Sequence, residues 1–275
     1  MPELPEVETV RRGLWQALAG VRIMDVVVRR TDLRWPVAGA LLHGVLPGQR
    51  IEGMDRRGKV LLLRTAAGTV LIHLGMSGVL RVVSDGVVPG RHDHVDFVLE
   101  GRLVLRLTDS RRFGAVLWGG SDPLRHELVS RLGPEPLAEE FDGSALHARI
   151  RMMRRAIKMA LMDGRVVAGI GNIYAVESLF RAGIHPATQA ASLRLETCSI
   201  LVSAIKDRLT AAIRQGGTTL RDFRRSDGRP GYFQQSLLVY GREGACCREC
   251  GGVISSLRLG GRASPFCPCC QPPAR

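Results

Sequence analysis

The chain has 275 residues, 45% of them hydrophobic, and its 39 lysines and arginines outnumber 26 acidic residues, which gives a formal net charge of +13. No stretch approaches the roughly 18 uninterrupted apolar residues of a membrane span, and residues 1–10 lack the features of a secretory signal. We therefore expect a cytoplasmic protein with no membrane partner. The length predicts about two domains. The charge favours a polyanionic partner, with nucleic acid first, an anionic membrane surface second, and a basic protein without such a partner as the remaining alternative.

The chain opens with MPELPEVETV, an acidic segment in a basic protein. Residues 4–19 carry apolar side chains at helical spacing, namely Val7, Val10, Leu14 and Leu18. Pro5 suits the first turn of a helix, and carboxylates suit the positive end of the helix dipole. A helix start is therefore sufficient to explain Glu3, Glu6 and Glu8, and the spacing alone leaves any chemical role open.

Between residues 21 and 119 the pattern predicts β-strands. The segments RIMDVVVRR, KVLLLRT, TVLIHL, VLRVV, HVDFVLE and RLVLRLTD are short and rich in β-branched residues, and turn signals such as AAG and EGR separate them. This spacing is typical of an antiparallel sandwich or barrel. The segment LGPEPL, at residues 132–137, interrupts the pattern and is the candidate linker.

From residue 138 to 215 the periodicity becomes helical. The segments GSALHARIRMMRRAIKMALMDG and LETCSILVSAIKDRLTAAIRQGG each end in glycine, as helix C-termini often do. Between them, Gly169 and Gly171 permit a tight turn, and we expect Asn172 to cap a helix that begins at Ile173. The free N–H groups of such a helix start suit phosphate, although ordinary helix packing explains the same glycines.

Six of the seven cysteines lie in the last thirty residues, whereas Cys198 stands in a predicted helix and is expected in the core. Without an export signal, a metal site is a better explanation than disulfides. Two C-x-x-C pairs are predicted to bind one structural Zn²⁺ through four thiolates, and their members are Cys247, Cys250, Cys267 and Cys270. The segment VISSLRLGGRASPF between them predicts a hairpin that the metal would stabilise. Cys246 and Cys269 are expected to remain outside the site.

The Pro-Glu start, GIGNIYA, SDGRPGYFQQ and the closing cysteine module together resemble the bacterial formamidopyrimidine-DNA glycosylases, also called 8-oxoguanine DNA glycosylases. The likeness runs along the chain and includes LRWP, HLGMSG, HDHVDF, LGPEPL and VYGREG. It implies an α+β fold: an N-terminal catalytic β-sandwich with an N-terminal helix over 1–131, and a linker over 132–136. A helical DNA-binding domain with a helix-two-turn-helix motif follows over 137–240, with a lesion-recognition loop over 216–233. A zinc finger follows over 241–275.

The resemblance also implies an activity. A monomeric, nucleoid-associated enzyme would excise oxidised purines, 8-oxoguanine and formamidopyrimidines, from duplex DNA and then cleave the abasic site. Pro2, exposed by removal of Met1, would be a secondary-amine nucleophile that forms a Schiff base with C1′. Glu3 would transfer protons, and Glu6 would orient the site. By the same likeness Lys59 assists β-elimination and Arg262 assists δ-elimination, whereas composition alone would make Lys59 an exposed strand lysine.

The base must leave the stack before it can react, and the resemblance implies that three side chains fill the gap, namely Met76, Arg111 and Phe113. A methionine or phenylalanine near a strand end is otherwise usually a core residue. Further positions match family residues that bind DNA phosphates or lie near them, and these are His73, His92, Arg154, Lys158 and Asn172. A lone histidine is more often structural, which is the alternative for both histidines.

Two other functions remain open. The endonuclease VIII family, which acts on oxidised pyrimidines, resembles this chain in fold and metal site. It usually begins Pro-Glu-Gly-Pro-Glu, where this chain has Leu4, and it generally lacks the GGTTLRDF…SDG loop. The second alternative is a DNA-binding protein that recognises abasic sites without catalysis. Detection of a covalent intermediate after borohydride reduction separates that protein from either enzyme.

Overall fold

The computed structural model describes residues 2–218 and 233–273, so most of the predicted lesion-recognition loop, residues 219–232, lies outside the described residues. The described chain forms two compact units. One comprises residues 2–130 with 216–218, and the other comprises residues 131–215 with 233–273. In these ranges, no helix has the length and apolar character needed to cross a membrane.

The first unit contains helix α1 (Leu4–Leu18), a short helix α2 (Gly39–Val45) and two antiparallel four-stranded sheets. The strands are β1 (Ile23–Val28), β2 (Gly53–Arg57), β3 (Val60–Thr65), β4 (Gly68–His73), β5 (Gly78–Ser84), β6 (Asp93–Leu99), β7 (Leu103–Asp109) and β8 (Ala115–Gly120). One sheet has the order β1-β6-β7-β5 and the other the order β2-β3-β4-β8. A 3-10 turn (Pro123–Arg125) and helix α3 (Glu127–Ser130) close the unit.

A single hydrophobic cluster joins α1 to the strands of both sheets. The four apolar positions predicted from helical spacing, Val7, Val10, Leu14 and Leu18, are all buried in it, which confirms the predicted helix. The predicted β-sandwich is also confirmed. The sequence pattern did not predict β2 and β8. The segment GMDRR of β2 lacks the apolar alternation of a strand, and AVLWGG of β8 is short and ends in two glycines.

The second unit is helical, with α4 (Gly143–Ile150), α5 (Ile157–Leu161), α6 (Asn172–Arg181) and α7 (Leu195–Arg214). The prediction of one continuous helix over residues 143–164 is wrong. Residues 151–156 leave the helix because their backbone bonds to a distant segment instead. Ala190 N–H donates to the Arg155 carbonyl at 2.9 Å, and Ile157 N–H donates to the Thr188 carbonyl at 2.7 Å. Two 3-10 turns, Ala190–Ser192 and Phe233–Ser236, complete the helical part.

The predicted hairpin is present as strands β9 (Ser255–Leu259) and β10 (Arg262–Phe266). Leu259 pairs with Arg262, so the turn consists of Gly260 and Gly261 alone. Their φ angles are +57° and +74°, and a two-residue turn of this kind needs glycine because both positions lie in the left-handed region. The turn places Arg262 at the tip of the hairpin.

Candidate active site and metal centre

The N-terminus of α1 is a buried, hydrogen-bonded structure. Pro2 is buried and Glu3, the residue before the first helical turn, is only 2% exposed. The Glu6 carboxylate accepts the Glu3 N–H at 2.8 Å through Oε2 and the Thr218 N–H at 2.8 Å through Oε1. One carboxylate therefore fixes the backbone beside Pro2 and also the backbone at the start of the predicted lesion-recognition loop.

Lys59 lies in the turn between β2 and β3, next to Gly58, whose φ of +56° makes the turn tight. His73 lies beside this turn, because strand register pairs Val60 with His73. The ring of His73 accepts the Gly75 N–H through Nδ1 at 3.0 Å. The structure thus brings together two of the residues that the sequence assigned to the site.

His73 is held in its neutral form. Burial lowers its pKa first, and the positive charges of Lys59 and Arg34 lower it further, although Asp109 opposes them; the result is a pKa of about 4. Because Nδ1 accepts a hydrogen bond, the ring proton of the neutral form resides on Nε2. His73 is therefore a hydrogen-bond donor whose protonation state does not change near neutral pH.

Asp109, fully buried at the end of β7, organises the loop that carries Arg111 and Phe113. Its carboxylate accepts the Ser77 hydroxyl at 2.6 Å, the Gly114 N–H at 2.7 Å and the Arg111 N–H at 3.2 Å. The exposed guanidinium of Arg111 lies 5.0 Å from the centre of the Phe113 ring. This cation–π arrangement presents a charge and a ring together at the surface.

Met76 and His92 belong to the same region. The backbone at Gly75 passes so close to Phe113 that a Cβ there would lie 2.4 Å from the Phe113 carbonyl carbon, so the loop with Met76 packs directly on the loop with Phe113. His92 accepts the Asp109 N–H through its carbonyl at 2.9 Å. The sequence did not identify Asp109, although a lone acidic residue that ends an apolar strand, as in LRLTDSRRFG, is a usable signal.

In the second unit, two predicted DNA contacts converge on strand β10. Lys158 is fully buried, and its amine donates to the Ser264 hydroxyl at 2.7 Å and to the Ala263 carbonyl at 3.2 Å. The Asn172 amide donates to the same carbonyl at 3.1 Å. The prediction that Asn172 caps a helix is wrong, because the residue in the cap position of α6 is Gly171 and Asn172 is the first helical residue. Both side chains support the strand that begins at Arg262, which is itself exposed.

Arg154 is exposed and lines a cavity of about 720 Å³ together with Arg149, Arg155 and Arg165. Asp163 in this cavity binds Arg155 at 2.8 Å and Arg165 at 2.9 Å. The lining is strongly basic, as a surface that meets phosphates requires.

A buried carboxylate on α6 was missed by the sequence reasoning. Glu177 is fully buried and accepts the N–H groups of Leu238, Val239 and Tyr240, all within 3.0 Å, as well as the Arg208 guanidinium at 2.9 Å. It anchors the segment that leads into the cysteine module. An acidic residue inside the apolar run IYAVESLF is the signal that could have found it.

The four cysteines of the C-x-x-C pairs form one cluster, with their sulfur atoms within 4.8 Å of one another; they are Cys247, Cys250, Cys267 and Cys270. Two cross-pairs approach closely, at 3.5 Å for Cys250 and Cys267 and at 3.9 Å for Cys247 and Cys270. Four sulfur ligands converging from two knuckles suit a tetrahedral, thiophilic metal ion. The set fits a closed metal site, and the hairpin β9–β10 connects the two knuckles.

Comparisons with known proteins agree over the whole chain. The family model of the formamidopyrimidine-DNA glycosylase N-terminal domain matches residues 1–116, and that of the formamidopyrimidine-DNA glycosylase H2TH domain matches residues 132–224. The formamidopyrimidine-DNA glycosylase of Methylococcus capsulatus is 54% identical over 271 residues, which cover 98% of this chain and 100% of the relative. The one from Pseudomonas putida is 53% identical with the same coverage.

Solved structures are similar as well. The MutM (Fpg) protein of Thermus thermophilus is 39% identical with a TM-score of 0.88, and the match covers 100% of both chains. The Lactococcus lactis Fpg bound to DNA that contains an abasic site is 34% identical with a TM-score of 0.91, covering 98% of this chain and 99% of that one.

Proposed function

This chain belongs to the formamidopyrimidine-DNA glycosylase family, and we propose that it excises oxidised purines from duplex DNA and then cleaves the abasic site through a Schiff base on Pro2. One observation carries this proposal. The start of α1 holds Pro2 and the buried carboxylate of Glu3 in a fixed backbone, with the Glu3 N–H bonded to Glu6 at 2.8 Å. A secondary amine at the N-terminus can act as the nucleophile of imine chemistry, and a buried acid beside it can transfer the protons.

The proposed reaction starts with attack of the Pro2 nitrogen on C1′. The new N–C1′ bond replaces the glycosidic bond, and the base leaves with the bonding electron pair and takes up a proton. Opening of the sugar breaks C1′–O4′ and leaves an iminium ion, while Glu3 supplies the proton to O4′. The iminium acidifies the C2′ hydrogen, so its removal expels the 3′ phosphate, and loss of a C4′ hydrogen then expels the 5′ phosphate. Water releases the sugar fragment and restores Pro2.

Family resemblance supports roles for two basic residues in the eliminations. We assign assistance of the first elimination to Lys59 and of the second to Arg262. The neutral ring of His73, with its proton on Nε2, would donate to a phosphate without a change of charge near neutral pH. Lys158 and Asn172 would support DNA binding indirectly, because both side chains donate hydrogen bonds to the Ala263 carbonyl on strand β10.

The loops of the first unit support a role in opening the base stack. Met76, Arg111 and Phe113 would fill the space left by the extruded nucleotide, with Arg111 already stacked 5.0 Å from the Phe113 ring. His92 and Arg154 would contact the phosphate backbone. Structures of relatives bound to DNA support this role. Lactococcus lactis Fpg has been solved with DNA that contains an abasic site, and MutM with DNA that contains carbocyclic 8-oxo-G.

We propose that the metal of the four-cysteine cluster is Zn²⁺. Four thiolates with sulfur atoms within 4.8 Å of one another leave no open position, so the ion would supply structural stability and no reaction step. Cys247, Cys250, Cys267 and Cys270 would hold it. The net charge of +13 and the proposed DNA substrate support a nucleoid-associated location in the cytoplasm.

Borohydride trapping on defined duplexes tests the proposal. A duplex with 8-oxoguanine should yield a covalent adduct that peptide mapping places on Pro2. Protein that retains an uncleaved N-terminal tag should give no adduct, and removal of the tag to expose Pro2 should restore it. An adduct on an internal lysine, or undiminished cleavage by Pro2→Gly, would refute the nucleophile. Faster excision of thymine glycol than of 8-oxoguanine would indicate the endonuclease VIII-like function, and abasic-site binding without an adduct would indicate a non-catalytic protein.

A further inference from the structure

Glu8 lies on α1, one turn beyond the site at its start, and it is charged yet only 8% exposed. Its carboxylate is the centre of an ion cluster with three arginines. Oε1 accepts Arg11 at 2.9 Å and Arg12 at 2.7 Å, and Oε2 accepts the Nε atoms of Arg11 at 3.0 Å and Arg56 at 3.2 Å. A buried carboxylate needs this degree of compensation.

Two of these arginines extend the cluster into the adjacent sheet. Arg11 donates through Nη1 to the Met54 carbonyl on β2 at 3.0 Å. Arg56 donates through Nη1 to the Gly58 carbonyl at 2.9 Å, within the tight turn between β2 and β3. The residue after Gly58 is Lys59. A continuous chain of hydrogen bonds thus runs from Glu8 through Arg56 to the backbone that carries Lys59.

The cluster is persistent across the physiological pH range. Burial raises the pKa of Glu8, but hydrogen bonds from Arg11 and Arg12 and the charges of Arg11 and Arg56 outweigh burial and lower the pKa to about 2. The Arg56 side chain is itself only 11% exposed, so solvent screens its bond to Glu8 weakly. The link between helix and turn is therefore ionised and partly shielded from water whenever the protein acts on DNA.

We propose that Glu8 and Arg56 are positioning residues that fix the Lys59 turn relative to the start of α1. The inference rests on the proposed function, because it concerns the distance between the Pro2 amine and the lysine assigned to elimination. α1 packs against β2 and β3, and Glu6 holds the Pro2–Glu3 end independently of Glu8. Loss of the Glu8–Arg56 link should thus impair elimination more than formation of the Schiff base.

An ion cluster that only stabilises the fold is the competing explanation, and the chain supplies a matched control. Arg12 binds the same Glu8 oxygen as Arg11, at 2.7 Å, but its side chain is 60% exposed and its described bonds do not reach the turn. Arg12→Gln therefore removes one arginine from the same carboxylate while leaving the connection from Arg56 to Gly58 intact.

The experiment uses the full-length, metal-loaded protein and compares Glu8→Gln, Arg56→Lys and Arg12→Gln with the parent. Arg56→Lys preserves the net charge, and it leaves Glu8 paired with Arg11 and Arg12, so it tests the link even if Glu8→Gln folds poorly. An ammonium group cannot reproduce the geometry with which one guanidinium spans Glu8 and Gly58. Single-turnover β-elimination on an abasic duplex, the rate of borohydride trapping, and the affinity for a tetrahydrofuran duplex are measured for each.

We expect Glu8→Gln and Arg56→Lys to slow β-elimination by at least about tenfold, because misplacement by about 1 Å can lower a rate by as much as 100-fold. Trapping should fall less than about threefold, and duplex affinity and the Arg12→Gln rates should stay within about twofold of the parent. Elimination by both variants at the rate of Arg12→Gln, or an equal loss in all three measurements, would overturn the inference. A parent that forms no adduct would instead contradict the proposed function itself.

Discussion

The neutral state of His73 predicts that acid weakens the first unit through this one residue. The replacement His73→Asn tests this, because an asparagine oxygen can take the place of Nδ1 and still accept the Gly75 N–H, which lies 3.0 Å from Nδ1 in the parent. Asparagine does not titrate. The variant therefore retains the local hydrogen bond and loses only the coupling between folding and protonation at this position.

The size of the effect follows from the pKa difference. The pKa of the ring is about 4 in the folded protein against an ordinary value of 6.5, so the unfolded chain binds the proton first as pH falls. The stabilisation is complete above pH 6.5 and is lost progressively between pH 6.5 and 4. At about 1.4 kcal/mol for each pKa unit, His73 should lower the free energy of unfolding by about 2 kcal/mol at pH 5 and by about 3 kcal/mol at pH 4, relative to neutral pH.

Urea unfolding followed by tryptophan fluorescence is the suitable assay. The three tryptophans, Trp15, Trp35 and Trp118, all belong to the first unit, which also contains His73. The free energy of unfolding is measured for parent and variant between pH 4 and 7. Relative to the variant, the parent should lose about 2 kcal/mol of unfolding free energy between pH 7 and pH 5, since only the parent loses the His73 contribution. Parallel pH dependences, agreeing to within about 0.5 kcal/mol throughout, would show that His73 protonates as readily when folded as when unfolded.

Three further changes have defined outcomes. Cys267→Ala should lose most of the bound metal measured by mass spectrometry, whereas Cys246→Ala, outside the four-cysteine cluster, should retain it. Lys158→Met removes the donor to the Ser264 hydroxyl, and urea unfolding should show a loss of roughly 1–3 kcal/mol; no loss would mean that the buried amine contributes no net stability. Asp109→Asn weakens the acceptor of three loop donors. The affinity for a tetrahydrofuran duplex, measured by fluorescence anisotropy, should therefore fall roughly tenfold. Unchanged binding would contradict the role given to this loop.

The sequence predicted the fold where one face of an element is apolar. The spacing of buried residues identified α1 and most strands of the sandwich, because period and burial coincide there. It failed where distant backbone decides the structure. The segment RMMRRA has good helix formers, but residues 153–157 pair with residues 188–191 and cannot continue the helix. Local propensity carries no information about that partner.

Only part of the candidate site was predictable from the sequence. The two C-x-x-C spacings alone located the metal ligands, since knuckle geometry is local. The roles proposed for Pro2, Lys59 and Arg262 came from family resemblance. The partners of Lys158 were not predictable, because Ser264 lies 106 residues away in the chain. Glu177, which fixes the segment that enters the cysteine module, was missed because a glutamate at a helical position ordinarily faces solvent.

The acidic start of a basic DNA-binding chain follows from burial. Glu3 and Glu6 are each 2% exposed and Glu8 is 8% exposed, so none presents its carboxylate openly to a phosphate backbone. Glu6 binds two backbone N–H groups, and Glu8 binds three guanidiniums. Because these carboxylates are compensated within the fold, their repulsion of DNA is small. Their hydrogen bonds fix the start of α1, the backbone at Thr218 and the Lys59 turn. An acidic segment can therefore organise the site of a basic protein without opposing the binding of its polyanionic substrate.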